Sequence, residues 1–314
     1  MRRQLLIAFI FIILLSGMAP YETSVEDGTC LRAYGQNPQE IPTWLRSDTP
    51  EADLATSKRY ELLASQLLKN GIVDGSACPG TGLNADGSAN GCGIENAQAA
   101  VIVWQNQYDH LIWETSQRNG LSPVVLKAVM AVESQFWPGA DWHTGEVGFG
   151  QMTEMGADLV LTWRFALYQD VCRQVFDAAT CTRSYIFQDE QTQRLLRGQV
   201  LKNIDATCPT CVHGIDQQKA EAAVSLLAET IQASCAQSAR LISGITGHAP
   251  AAVMDYEDFW RFVLANYHSG AGCMSAALHQ SKNSLAWPAI AASLPSGCWS
   301  GAVYVRRIET QIIR

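Results

Sequence analysis

One carboxylic acid in this sequence is placed where it could hold a proton. In the stretch 120–136, GLSPVVLKAVMAVESQF, Leu126, Val129, Met130 and Glu133 recur at i, i+3, i+4 and i+7, which is one face of a helix. Ser122 offers a cap, and Pro123 fills a first helical position where a missing N–H is harmless. A carboxyl group on that apolar stripe, followed by Phe136 and Trp137, loses hydration, which disfavours its anion and raises its pKa. Such a group is a general acid, and a departing glycosidic oxygen needs one as its bond breaks. The same pattern also fits a glutamate satisfied within a core or reaching water at a helix edge, and this stretch alone leaves both readings open.

Three further pieces carry polar chemistry. In 145–152, GEVGFGQM, glycines let the backbone approach a ligand closely, and Gln151 offers both a donor and an acceptor. In 265–270, ANYHSG, a helix ends with Tyr267 and His268, and 304–308, YVRRI, begins with Tyr304. Taken singly, Tyr267 also fits a core position, Met152 a core filler, His268 a helix-end cap, and Tyr304 a dock for the last helix. Glu146, on its Gly-rich turn, reads as a solvated side chain.

The elements that must position these groups are helices. Periodicity and stop signals predict them over 56–70, 94–119, 153–174, 191–204, 216–243, 255–267 and 302–313, besides the one ending at Glu133. No stretch sustains the period of two that a strand needs, so the fold class is mainly α. Residues 20–95 form a Pro- and Gly-rich segment, short for an independent core and read here as a cover over a groove. Within it Asp86, Ser88 and Asn90 have the alternating spacing of a calcium loop, but Ala97 stands where the bidentate glutamate belongs. That loop is therefore read as disulfide-tied, with no metal site. Neither a phosphate-binding Gly loop nor a metal-histidine pair occurs, so no cofactor is expected.

Residues 1–19 combine Arg2 and Arg3 with an apolar run and the small residues Ser16, Gly17 and Ala19, the pattern of an export leader. The run is short for a membrane span. Pro20 makes the cleavage site imperfect, so a cleaved signal peptide and an uncleaved inner-membrane anchor both stay open. All ten cysteines lie beyond the leader, which implies an oxidising compartment such as the periplasm and up to five disulfides. Local spacing suggests Cys78 with Cys92, Cys172 with Cys181 and Cys273 with Cys298. Cys208 and Cys211 form a C-x-x-C step, but a redox or zinc role needs a second pair or an α/β context that the sequence lacks. They are read as structural disulfide partners. The net charge is −8, or −10 once Arg2 and Arg3 leave with the leader, and no basic stripe occurs. This argues against nucleic acid as a partner. A carbohydrate polymer, gripped by hydrogen bonds and aromatic faces, remains compatible, with nine Trp, nine Tyr and nine Phe available.

In order and surroundings, Glu133-Ser134, the 145–152 turn, the 265–270 segment and Tyr304-Val305 resemble the lytic transglycosylase domain of the soluble type, related to goose-type lysozyme. The resemblance covers residues 96–314. It implies a lysozyme-like helical domain in which Glu133 is the catalytic acid and Ser134, Gly148, Phe149, Gln151, Met152, Tyr267, His268 and Tyr304 line the sugar groove. The substrate it implies is the glycan strand of peptidoglycan, cut between N-acetylmuramic acid and N-acetylglucosamine to leave 1,6-anhydro ends, with a single glutamate as acid and then base. Phe149 and Gly150 replace the family's Leu-Met, His268 its Asn and Glu146 its Ala. About 115 residues separate Gln151 from Tyr267, which implies an inserted, Cys-rich helical segment over 165–250. Two alternatives stand beside it. One is a hydrolase of the goose-type kind with Glu146 as base; the other is a non-catalytic wall-binding component of a secretion or conjugation apparatus, against which an intact Glu133 argues.

Overall fold

The computed structural model describes residues 30–141, 144–281 and 284–312, so the expected leader, 1–19, lies outside the described residues. The chain begins with α1 (Cys30–Tyr34) and passes through single 3-10 turns to α2 (Glu61–Lys69), α3 (Gly91–Asn106), α4 (Asp109–Asn119) and α5 (Pro123–Glu133). A short antiparallel hairpin follows, β1 (Ala140–Asp141) and β2 (Glu146–Val147), with Ala140 opposite Val147. Then come α6 (Glu154–Trp163), α7 (Phe165–Val175), α8 (Glu190–Ile204), α9 (Gln217–Thr246), α10 (Tyr256–Gln280), α11 (Trp287–Ala292) and α12 (Ser300–Ile312). The fold is mainly α, as the periodicity predicts, and among the described residues no helix is long and apolar enough to cross a membrane.

Helix boundaries move where polar side chains capture the backbone. The helix predicted over 56–70 starts only at Glu61, because the N–H of Thr56 is taken by Asn106 Oδ1 at 2.9 Å and that of Lys58 by Gln105 Oε1 at 3.1 Å. The predicted 94–119 helix breaks in two before Asp109, where the Tyr108 ring is buried edge-on against Phe149, centroids 4.9 Å apart. The predicted 153–174 helix breaks at Arg164, whose guanidinium holds Glu229 at 2.5 Å. Gly244 does not stop α9; Gly247 does, in the left-handed region at φ 76°. Beyond Tyr267, α10 runs on to Gln280 with a kink at Gly270, φ 80°.

The longest helix, α9, packs against α10, α6, α4, α8 and α1, and its small residues Ala220, Ala223, Ala228 and Ala233 are buried, which lets neighbouring helices come close. Of the 165–250 stretch, α9 is thus at the centre of the molecule. On α5 every residue except Val124 and Glu133 is buried. One of them is Lys127, 5% exposed, whose ammonium donates to Asp109 Oδ1 at 2.5 Å and to Leu54 O and Asn106 Oδ1 at 2.8 Å. A buried ammonium is tolerated only when it is paired and hydrogen-bonded in this way.

Five disulfides staple the helices: Cys30–Cys235, Cys78–Cys92, Cys172–Cys181, Cys208–Cys211 and Cys273–Cys298. Three are the pairs that local spacing suggests, and the C-x-x-C step closes on itself. Their number marks a protein of an oxidising, exported environment.

Candidate active site

Glu133 is the last residue of α5. Ser122 caps the start of that helix through Val125 N, and Pro123 stands at its first turn. The helix stops at a sharp turn in which Gln135 and Phe136 both take positive φ, 47° and 65°, a region costly for residues with a β-carbon. The surroundings hold them there. Gln135 Oε1 accepts the N–H of Leu62 at 2.8 Å and of Leu63 at 3.4 Å, capping α2, which has no cap of its own. The Phe136 ring is fully buried beside Tyr60, and the Phe136 carbonyl accepts Trp104 Nε1 at 2.9 Å. The backbone therefore turns away and leaves the Glu133 side chain at the edge of a cleft.

That cleft, about 460 Å³, is bounded by Glu133, by Glu146 of β2, by Gln151 and Met152, by α6 and by Tyr267 and His268 of α10. Its volume is in the range of small-ligand sites. The Tyr267 hydroxyl donates to Gly150 O at 2.7 Å, and a β-carbon on Gly150 would lie 2.7 Å from that hydroxyl and from Leu227 Cδ1. This explains glycine at a place where the resembled family carries a larger residue. The Tyr304 ring stacks on Tyr267 and His268, centroids 6.1 and 4.5 Å apart.

Burial raises the Glu133 carboxyl from the usual 4.5 to about 7; the Tyr304 hydroxyl opposes this, the charge of Glu146 adds to it, and the Arg307 guanidinium again opposes it. The Tyr304 hydroxyl is enclosed and completes no hydrogen bond of good geometry, so it faces Glu133 as a contact poised for a bond to the carboxylate. Arg307 is held near the acid by donating to Val132 O at 3.3 Å. Burial first, then Arg307, holds the His268 imidazole below its ordinary value. The result is an acid whose proton is held more tightly than an ordinary carboxyl's, next to an opening, with two tyrosines and a second carboxylate around it.

The sequence-derived residues divide by position. Glu133, Gln151, Met152, Tyr267 and His268 share the cleft wall, and Tyr304 lies behind it as a buried ring. Ser134 is buried, and its hydroxyl donates to Met130 O at 3.1 Å. Gly148 forms the turn, its carbonyl accepting Gln151 Nε2 at 2.9 Å. Phe149 is fully buried against Tyr108 and has no surface to offer a ligand, because its turn points this ring into the core. The Tyr267 hydroxyl is spent on Gly150 O rather than on Glu133. Sequence reasoning left Glu146 as either a solvated side chain or a second carboxylate near the site; the hairpin of β1 and β2 places it in the cleft lining together with Glu133. That reasoning missed Asn266 and Gln237, joined by a 3.0 Å hydrogen bond in the cleft wall, since α9 and α10 meet only in three dimensions.

Comparison with protein-family models, curated proteins and solved structures finds no match to this chain.

Proposed function

We propose that this protein is a peptidoglycan lytic transglycosylase, cutting the β-1,4 bond between N-acetylmuramic acid and N-acetylglucosamine with Glu133 as the single acid and base. The observation that carries this reading is the placement of Glu133: a carboxyl held up to about 7 by burial, at the lip of a cleft large enough for sugar rings. In this mechanism Glu133 gives its proton to the glycosidic oxygen as the bond to the anomeric carbon breaks. The N-acetyl group of the muramic acid steadies the cationic carbon. Glu133, now a carboxylate, takes the proton of the sugar's 6-hydroxyl as that oxygen bonds to the anomeric carbon, so water does not enter the product. The Tyr304 hydroxyl is positioned to donate to the carboxylate once it forms.

A second reading, hydrolysis, is favoured by one observation: Glu146 lines the same cleft, and a second carboxylate is what water activation requires. Mass spectrometry of fragments released from purified peptidoglycan separates the two, because anhydro ends are lighter by one water than reducing ends. Glu133→Gln abolishes release in either case, since the amide keeps the shape but has no acidic proton to transfer. Release of fragments by Glu133→Gln at the wild-type rate would refute the assignment.

A further inference from the structure

The turn that follows Glu133 is gripped by a segment outside the stretch that the family resemblance covers. Residues 56–63 run as a strap into the first turn of α2, and two amides at the end of α3 hold that strap as a neighbouring strand would. Asn106 bonds both backbone groups of Thr56, at 2.9 and 2.8 Å, and the buried Gln105 bonds both of Lys58, at 3.1 and 3.0 Å. Beyond the strap, α2 is seated in the core by Leu63, Ala64 and Leu67, and Ser65 Oγ accepts Ala89 N at 2.8 Å. On its other side the strap meets α12, which carries Tyr304 and Arg307. Lys58 Nζ donates to Thr310 O at 3.1 Å and to Gln311 O at 2.7 Å, and the Tyr60 hydroxyl donates to Gln311 Oε1 at 3.0 Å. The two carbonyls belong to the last turn of α12, where intrahelical donors run out.

One side chain joins this support to the acid. Gln135 Oε1 accepts Leu62 N and Leu63 N, two donors of the first turn of α2 that have no partner within the helix. Gln135 sits two residues after Glu133 at φ 47°, and Phe136 follows at φ 65°. Two successive residues in that region cost free energy, and they persist only where the surroundings hold them. Phe136 is held by burial of its ring against Tyr60, itself part of the strap, and Gln135 by its bonds to α2. How tightly a carboxyl at a cleft edge keeps its proton depends on how far water reaches it. A turn free to relax would let the end of α5 shift and the carboxyl hydrate.

We propose that Gln135 is a positioning residue for the acid: by clasping α2 it fixes the turn after Glu133 to the 56–63 strap and keeps the carboxyl at its depth in the cleft edge. This rests on the reading of Glu133 as an acid acting on glycan. Gln135 touches no substrate and moves no proton; it acts through the turn. The test uses full-length, disulfide-complete protein whose glutamate carboxyls are labelled with carbon-13, the Glu133 signal being the one that Glu133→Gln removes. Gln135→Ala loses the acceptor and keeps a β-carbon, Gln135→Gly loses the acceptor but takes positive φ freely, and Gln135→Glu keeps an acceptor for both N–H groups. In wild type the signal should titrate near 7. In Gln135→Ala and Gln135→Gly it should titrate about one pH unit lower as water reaches the carboxyl. The pH profile of peptidoglycan cleavage should move down with it, and kcat should fall roughly tenfold while KM holds. Gln135→Glu should restore both titration and rate. Circular dichroism checks the fold of each variant, and Gln135→Gly serves if Gln135→Ala does not fold. A Glu133 signal unmoved in Gln135→Gly, or a shift that Gln135→Glu fails to reverse, overturns the inference and leaves the acid in place. Wild-type protein whose signal titrates near 4.5 overturns both. If the wild-type signal titrates near 7 but no fragments are released, the reading of the activity falls, and the titrations of the variants still decide the role of Gln135.

Discussion

Replacing Glu133 by glutamine should stabilise the folded protein at alkaline pH, and the size of the effect follows from the burial of the carboxyl. Folding raises its pKa from 4.5 to about 7, so the fold binds this proton more tightly than the unfolded chain does. The stability contributed by the proton is fully present below about pH 4.5 and is lost as pH rises through about 7. At about 1.4 kcal/mol for each tenfold change in proton affinity, the loss is about 3 kcal/mol between pH 4 and pH 8. Glutamine keeps the shape of the side chain and has no such proton to lose. Urea unfolding of wild type and Glu133→Gln, with disulfides intact, should therefore show curves that nearly coincide at pH 4. At pH 8 they should separate by about 3 kcal/mol, or roughly 6 °C in melting temperature for a chain of this size, with the variant the more stable. Other titrating groups are common to both proteins and cancel in the comparison. A difference that stays constant from pH 4 to pH 8 would mean that the carboxyl is fully hydrated, and the argument for a proton-holding acid would fall with it.

Three other outcomes follow from the same contacts. In wild type the rate of bond cleavage should fall as pH rises through about 7, as Glu133 loses its proton; in pH–rate profiles Tyr304→Phe should move that limb to higher pH and Glu146→Gln to lower pH, since the two groups act on Glu133 with opposite sign. Lys127→Ala leaves Asp109 buried without its cation and should cost about 3–5 kcal/mol in denaturant unfolding, with little change if the pair were in fact hydrated. Replacing Cys30 and Cys235 together by serine removes a link across 205 residues and should cost about 5 kcal/mol, against about 2 for Cys208 and Cys211, from loop-closure entropy; equal losses would mean that the long link does not constrain the unfolded chain.

Glu133 was legible because its signal is local: a cap, a proline and a seven-residue apolar stripe fix both the helix and the residue that closes it. Cys78 with Cys92 was legible for the same reason, being 14 residues apart in a turn-rich loop. What escaped depends on neighbours distant in sequence. The cap that Gln135 gives α2 joins residues 73 apart, and no propensity makes glutamine or phenylalanine choose positive φ at 135 and 136. Tyr108 and Arg164 interrupt helices whose periodicity runs straight through them, because a ring seated in the core and a pair with Glu229 outweigh helix propensity. Glu146 stayed open between solvent and the site because the turn's glycines say that the chain reverses there without saying which way its side chains face.

The Cys30–Cys235 link also sets an order of events. Cysteines leave an export channel in sequence, and an oxidase that joins each new thiol to the last one free would couple Cys30 to Cys78. Four of the native pairs join cysteines that follow one another once Cys30 and Cys235 are set aside; the link between those two spans three of the others. Cys30 must therefore wait as a free thiol until α9 has emerged, or be released from a wrong partner by thiol–disulfide exchange. Unless Cys30 stays reduced until then, maturation of this protein should depend on a disulfide isomerase as well as an oxidant, and the α1 segment cannot lock in place before α9 has emerged.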